Sequence, residues 1–293
     1  MRALARQIWR ARWSYLFLLP FYSFFTLFFL VPLFQNIIYS LQKVGIRSST
    51  WIGLENYERL LGDDTFFKAV ANTVVLVAAL VPIVMVLGIG IAAIARPLSV
   101  RWQAYFRLAF YLPVVASAVV LTIVWKWILN PVYGLLNYIL SLVGIEPIVW
   151  LGTTEWALPA VLIVVASFSI GTPIILFMAG LNAIPAELYE AAKIDGATPW
   201  QEFRHISLPL LRPTSAFVLI VTTIGTFQVF SVIQLLTKGG PANATQTIVY
   251  RIWETAFTLS DFGMAAAMSV VLLAIAFVIA IVQLRVVNRD VAY

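Results

Sequence analysis

Few of the 293 residues carry side chains suited to covalent chemistry. There is no cysteine, hence no disulfide, no thiolate nucleophile and no thiolate metal site. The single histidine, His205, is too little for a zinc or haem centre. It reads as an interfacial filler or partner contact, not as a catalytic base. No motif sets a nucleophile beside a base, and no GxxxxGK[ST] phosphate loop is present. What remains is recognition by uncharged polar groups. Ser167, Ser169, Gly171 and Thr172 cluster in one apolar run, with Pro173 next to break or kink a helix. Thr222, Thr223, Thr226, Gln228, Ser231 and Gln234 punctuate another. Small and hydroxyl residues at such positions commonly serve helix packing. Gln228 and Gln234 carry more donors and acceptors and cost more to bury. Phe227 beside Gln228 sets an aromatic face next to an amide, a pairing suited to a neutral hydroxylated ligand.

A second informative stretch is Pro185–Pro209. Pro185 suits a first helical turn, where no N–H is needed, and Glu187 lies near the positive end of the dipole. Gly196 supplies a left-handed stop. Thr198 then reads as an N-cap, with Pro199 at the first position and Gln201 completing a capping box. Trp200, Phe203 and Ile206 form one apolar stripe, and Leu208-Pro209 is expected to end this second helix. Ala191 and Ala192 leave one side of the first helix small. On these residues alone two readings stand: a helix pair anchored on lipid headgroups, or one docked into a groove of another protein.

The elements that position these residues are membrane helices. The chain is 62% hydrophobic and only 11% charged, with a mean hydropathy of +0.95. Soluble domains carry about 25% charged residues, so this chain has too little polar surface to cover a water-soluble globule. Six runs lack Asp, Glu, Lys and Arg: Tyr15–Gln42, Ala69–Ala95, Leu108–Val124, Trp156–Leu181, Thr214–Thr237 and Phe262–Leu284. Each is near or above the ~20 residues a spanning helix needs; the short third run can lengthen through Trp125 and Trp127. The first is too long for a signal-peptide core and lacks a clear cleavage site, so it reads as a retained helix. Asn130-Pro131 and Gly134 argue that Trp127–Ile145 is an extramembrane or re-entrant segment, not a seventh span. Trp51–Tyr57, mixing aromatics with turn residues, reads as structured. No soluble domain, low-complexity segment or fixed-period repeat is evident.

Lys and Arg in the flanks favour both termini inside. That choice places twelve inside, among them Arg2, Arg6, Arg10, Arg12, Arg96, Arg101, Lys193, Arg204 and Arg289. Seven fall outside: Lys43, Arg47, Arg59, Lys68, Lys126, Lys238 and Arg251. Residues 183–212 then form the largest inner loop. The net charge of +6 comes without a basic block, so it gives no sign of nucleic-acid binding. Ion-driven carriers usually hold charged groups at membrane depth, and here the runs hold none; this counts against such a carrier, although one whose site is built from backbone carbonyls needs none. With no phosphate loop either, energy for active transport through this chain is expected from another subunit.

Glu190-Ala191-Ala192, then Gly196, then Ile206, Leu208 and Pro209 match, position by position, the EAA loop of ABC importer permeases, which this chain resembles along nearly its whole length. Asp195-Gly196-Ala197, Leu236–Pro241 and Gly134-Leu135-Leu136-Asn137 resemble the carbohydrate-uptake branch, of maltose and glycerol-3-phosphate type, first-permease-like. The resemblance implies an all-α polytopic fold of six transmembrane helices, the type I importer permease fold. It implies one permease domain over 1–293, with an inner segment 1–14 and the coupling loop 183–212, in the bacterial inner membrane. It implies no enzyme activity and no cofactor in this chain, ATP and Mg being bound by a partner ATPase. The implied partners are a second permease, an ATPase dimer and an extracytoplasmic solute-binding protein, the last docking on Lys126–Glu155 and Lys238–Asp261. Coupling falls to Glu190, Ala191, Ala192, Asp195, Gly196, Ala197, Ile206, Leu208 and Pro209. The resemblance puts a sugar path at Ser169, Gly171, Thr172, Phe227, Gln228, Ser231 and Gln234. The expected cargo is a neutral sugar, glycoside or polyol, with a phosphate ester or a self-sufficient carrier as the alternatives.

Overall fold

The computed structural model describes residues 12–45 and 48–288. Most of segment 1–14, expected on the inner side, and Arg47 and Arg289 of the charge pattern lie outside the described residues. Among the described residues, four apolar helices are long enough to cross a bilayer: Tyr15–Ser40, Asp64–Ala95, Arg212–Leu236 and Phe262–Arg285. Two further crossings are bent pairs, Val100–Val115 with Ala118–Ile128 (96°) and Ala157–Ser169 with Gly171–Asn182 (45°). Counting each pair once gives the six expected spans.

The third span departs from its expected form. Its helix starts at Val100, ahead of the uncharged run and carrying Arg101 and Arg107, and it stops at Val115. Ala116 and Ser117 are extended (ψ 145° and 133°), and Ser117 caps the next helix by accepting from the Val119 N–H. Two helices therefore meet at a sharp corner where hydropathy alone suggested one rod. That second helix does include Trp125 and Trp127.

The chain forms two compact units. One comprises Met1–Gly62 with Ile252–Val271. Its first span is largely exposed, with Ser40 at its end buried, as suits a helix facing lipid or another subunit. After Ser40 come two short antiparallel strands, Gln42–Val44 and Ser49–Trp51, paired Gln42 to Trp51 and Val44 to Ser49, and then a helix, Glu55–Leu61. The buried Asn56 amide fastens this connection by donating to the carbonyls of Ser40 (3.0 Å) and Gln42 (2.9 Å). Arg59 pairs with Asp261 at 2.7 Å. The Trp51–Tyr57 segment is thus ordered, as its composition suggested.

The second unit comprises Asp63–Arg251 with Leu272–Tyr293. Between the third and fourth spans sits an eight-residue helix, Leu135–Leu142. At 1.5 Å per residue it reaches only about 12 Å, too short to cross a bilayer. Buried Asn137 organises this segment: it donates to the Pro131 and Ile148 carbonyls and accepts from the Ile148 N–H and the Trp150 indole. The loop after the fifth span is pinned to the second span. Lys68 donates to the Ala242 carbonyl, Asn72 to those of Asn243 and Gln246, and the Ile248 N–H donates to Thr73.

Asp63 completes that attachment. It caps the second span by accepting from Thr65 and Phe66, and it pairs with Arg251 at 2.9 Å. Burial pushes its carboxyl pKa up, but the Arg251 bond and charge and the two N–H donors outweigh this and hold it below the usual value. A lowered folded-state pKa means that its stabilisation is full above the unfolded value of about 3.9 and fades as pH falls through the depressed one. Asp63→Ala is expected to cost about 1–2 kcal/mol for the cap alone. Its melting temperature should lie below that of the unaltered chain at pH 7, and the gap should shrink as pH falls below 4, as read in pH-stepped thermal melts.

Candidate functional site

The loop between the fourth and fifth spans is built from local sequence rules. Its first helix runs Ala186–Ile194, with Pro185 as N-cap, one position earlier than the first-turn place expected for it. It ends in a double bond pattern: the Gly196 N–H reaches the Lys193 carbonyl (3.1 Å), and the Ala197 N–H reaches that of Ala192 (2.9 Å). This closure needs a left-handed residue, and Gly196 sits at φ +77°. Thr198 and Gln201 then form the reciprocal capping box that starts the second helix at Pro199.

That second helix ends at Leu210, one residue past the expected Leu208-Pro209, and Leu211 is a turn residue that caps it and opens the next helix. A π-helical turn, Phe203–Ser207, follows Pro199–Glu202, and the Leu208 N–H bonds back to the Phe203 carbonyl. The wider turn accommodates Pro209, which has no N–H to donate and would crowd a regular helix. Leu208–Leu210 is again helical, and bonds from Leu211 to Ser207 and from Ser215 to Leu211 carry the ladder into Arg212–Phe227. Two backbone bonds thus bridge the turn at Leu211 and join the loop to the fifth span.

The loop is tied to the core by a residue that the sequence reading left without a role. Tyr189 is 4% exposed and packs with Ala92, Ala95, Leu181 and Leu211. Its hydroxyl bonds Ser207 at 2.9 Å, and the Arg96 guanidinium lies 3.5 Å above its ring. Of the expected coupling residues, Glu190, Ala191, Asp195, Gly196, Leu208 and Pro209 are exposed, while Ala192, Ala197 and Ile206 are half-buried. Ala192, Asp195, Gly196, Ala197 and Ile206 line a crevice of 290 Å³ between the two helices. His205 stands at this crevice and its Nδ1 donates to the Gln201 carbonyl.

The expected path residues separate. Ser169 and Thr172 line a cavity of 290 Å³ between the fourth and fifth spans, facing Thr222, Gly225, Thr226 and Val229. Both walls are interrupted here. The fourth span breaks at Ile170, and Pro173 has no N–H to return to the Ser169 carbonyl. The fifth loses regular helix over residues 228–230. Irregular backbone at membrane depth is tolerated where it is buried in protein or lines a cavity. Gly171 does a different job: a Cβ there would run into the Phe110 carbonyl and the Val114 side chain, so the third and fourth spans meet closely at this point. Phe227 is buried, Gln228 is exposed at the break, and Ser231 and Gln234 are half-buried beyond it. None of these four lines the cavity. Thr223 is a packing residue, accepting from Gln283 Nε2 at 2.8 Å. Among the described residues there is no group of three or more His, Cys, Asp or Glu able to hold a metal ion.

The family described as "Binding-protein-dependent transport system inner membrane component" matches residues 84–290. The chain is 34% identical over 280 residues to a trehalose/maltose transport system permease of Thermococcus litoralis, covering 94% of each chain. It is 33% identical over 296 residues to the sn-glycerol-3-phosphate transport system permease of Salmonella typhimurium, covering 99% of each. A crystal structure of a bacterial ABC transporter that imports the acidic polysaccharide alginate contains a chain superposing with a TM-score of 0.87, at 25% identity, over 99% of this chain and 100% of that one. With the six spans, the matched loop and these likenesses together, the chain belongs to the family of inner-membrane permease components of binding-protein-dependent ABC importers.

Proposed function

We propose that this chain carries a neutral sugar or related polyol inward through the cavity between its fourth and fifth spans, driven by an ATPase that grips the loop at 183–212. The observation that carries this reading is the run of helical segments from Pro199 to Phe227, bridged at the Leu211 turn by two backbone bonds, which joins the loop to the cavity wall at Thr222, Gly225 and Thr226. A displacement of the loop is passed along a stiff element, because Tyr189 and Ser207 lock its two helices together. The exposed Glu190, Ala191, Asp195 and Gly196 form the face offered to the ATPase, and the small side chains let a groove wall approach closely. The chain itself performs no catalysis; ATP and Mg belong to the partner subunit.

The cavity lining supports an uncharged cargo, since it combines hydroxyls with apolar side chains and contains no Lys or Arg. Gln228 stands exposed where the fifth helix opens and would extend the path towards a second permease, with Ser231 and Gln234 further along the span. The largely exposed first span offers that partner a helix face. The ordered segments around Asn137 and after Lys238 offer rigid outer surfaces to a solute-binding protein.

This reading requires the loop to face the cytoplasm. Because the chain has no cysteine, Asp195→Cys introduces a unique thiol on the loop. A membrane-impermeant maleimide should label it in inside-out vesicles, not in intact cells, and assembly with the ATPase should protect it. Labelling from outside intact cells would overturn the orientation and the coupling role together.

A further inference from the structure

A third cavity, of 580 Å³, opens between the end of the second span and the two loop helices. Arg96, Lys193 and Glu202 are its ionisable groups, with Tyr189, Trp200, Ile94 and Gly90 among the rest of the lining. Arg96 is held in place above the Tyr189 ring. Ile94 is 66% exposed and Trp200 64% exposed, so the opening is apolar on both flanks. Gly90 lies on the second span six residues before Arg96, about 9 Å deeper along the helix, and a Cβ there would meet nothing within 4 Å. The cavity therefore grades from two cations at the level where the span ends to an open apolar groove at hydrocarbon depth.

We propose that this cavity binds an anionic glycerophospholipid, with its phosphate between Arg96 and Lys193 and an acyl chain along Ile94 and Gly90. The polar-to-apolar grading is that of one lipid molecule, and the excess of positive charge selects an anionic headgroup. Glu202 accepts from the hydroxyls of a glycerol headgroup, which favours phosphatidylglycerol. Trp200, an amphipathic ring at the same level, suits the interface. A lipid seated here touches both helices of the loop and the second span, so its occupancy bears on how firmly the loop is held. That consequence rests on the inward orientation proposed above; the binding itself does not.

The test uses the assembled importer, delipidated in detergent and titrated with phosphatidylglycerol or phosphatidylcholine, with bound lipid counted by native mass spectrometry. Phosphatidylglycerol should be retained at least fivefold better than phosphatidylcholine. Arg96→Gln with Lys193→Gln should remove that preference. Gly90→Phe fills the groove while leaving both cations and the Tyr189 contact in place, and it should lower retention of either lipid at least fivefold. Equal retention of the two lipids, unchanged binding in both variants, or displacement of the lipid by millimolar inorganic phosphate would each overturn the proposal. Maleimide labelling of Asp195→Cys reads the orientation separately, so failure of one leaves the other standing.

Discussion

Gly196→Val is expected to lower uptake by reconstituted importer at least tenfold while the amount of chain in the membrane stays within about twofold. Gly196 holds φ +77° in open space, with nothing within 4 Å of where a Cβ would lie. The penalty is therefore conformational. A β-branched residue is a genuine outlier in that region, and strained backbone of this kind costs about 1–3 kcal/mol. The low-energy escape is to continue the first loop helix past Asp195. That would break the bonds from Gly196 to Lys193 and from Ala197 to Ala192, and it would swing the Thr198 capping box to a new direction. Gly196→Asn should retain more uptake than Gly196→Ala, because asparagine tolerates the left-handed region better although it is larger. If a close approach by the ATPase were the whole reason for glycine, the order would reverse. Solute uptake into proteoliposomes, set against ATP hydrolysis with and without loaded binding protein, separates the two cases.

Thr172→Trp is expected to stop transport while sparing the coupling. Thr172 is exposed on the wall of a 290 Å³ cavity, and an indole occupies much of such a space. Uptake should fall at least tenfold, with ATP hydrolysis still stimulated by loaded binding protein. Gly225→Phe should act alike from the facing helix, since its Cβ position is also open. Phe227→Ala is a different kind of change. Phe227 is 3% exposed and does not line the cavity, so its truncation should appear as lost stability, about 3–5 kcal/mol for a buried aromatic. Full uptake by Thr172→Trp would place the solute path elsewhere.

Much of this site was legible because its rules are local. The left-handed stop at Gly196 and the Thr198–Gln201 capping box depend on residues within five positions of one another, and both stand in the structure as the sequence suggested. Pro209 marked the end of the second loop helix to within one residue, since proline stops a regular helix. The π-helical turn before it, a backbone choice with no sequence signature of its own, was not legible. In the third span the charge-free run began too late, since Arg101 and Arg107 lie within the first half of the helix pair. The role of Tyr189 was hidden because its partners, Arg96 and Ser207, are remote in sequence. Distance also hid the cavity. Hydroxyls were visible on both the fourth and fifth spans, but which of them face each other depends on how the two helices rotate and break. That is why Ser169 and Thr172 meet Thr222 and Thr226 there while Phe227 turns to the core.

The proposed link between loop and cavity wall runs through Pro199–Phe227, and inserting two glycines between Leu210 and Leu211 severs it where two backbone bonds bridge the turn. Two residues add about 200° of helical turn and break the stiff connection with the most flexible residues available. In the assembled importer, stimulation of ATP hydrolysis by loaded binding protein is the quantity to measure. The rate is predicted to fall to its unstimulated level, with the loop still bound to the ATPase. Stimulation at the level of the unaltered chain would contradict a mechanical link along this connection.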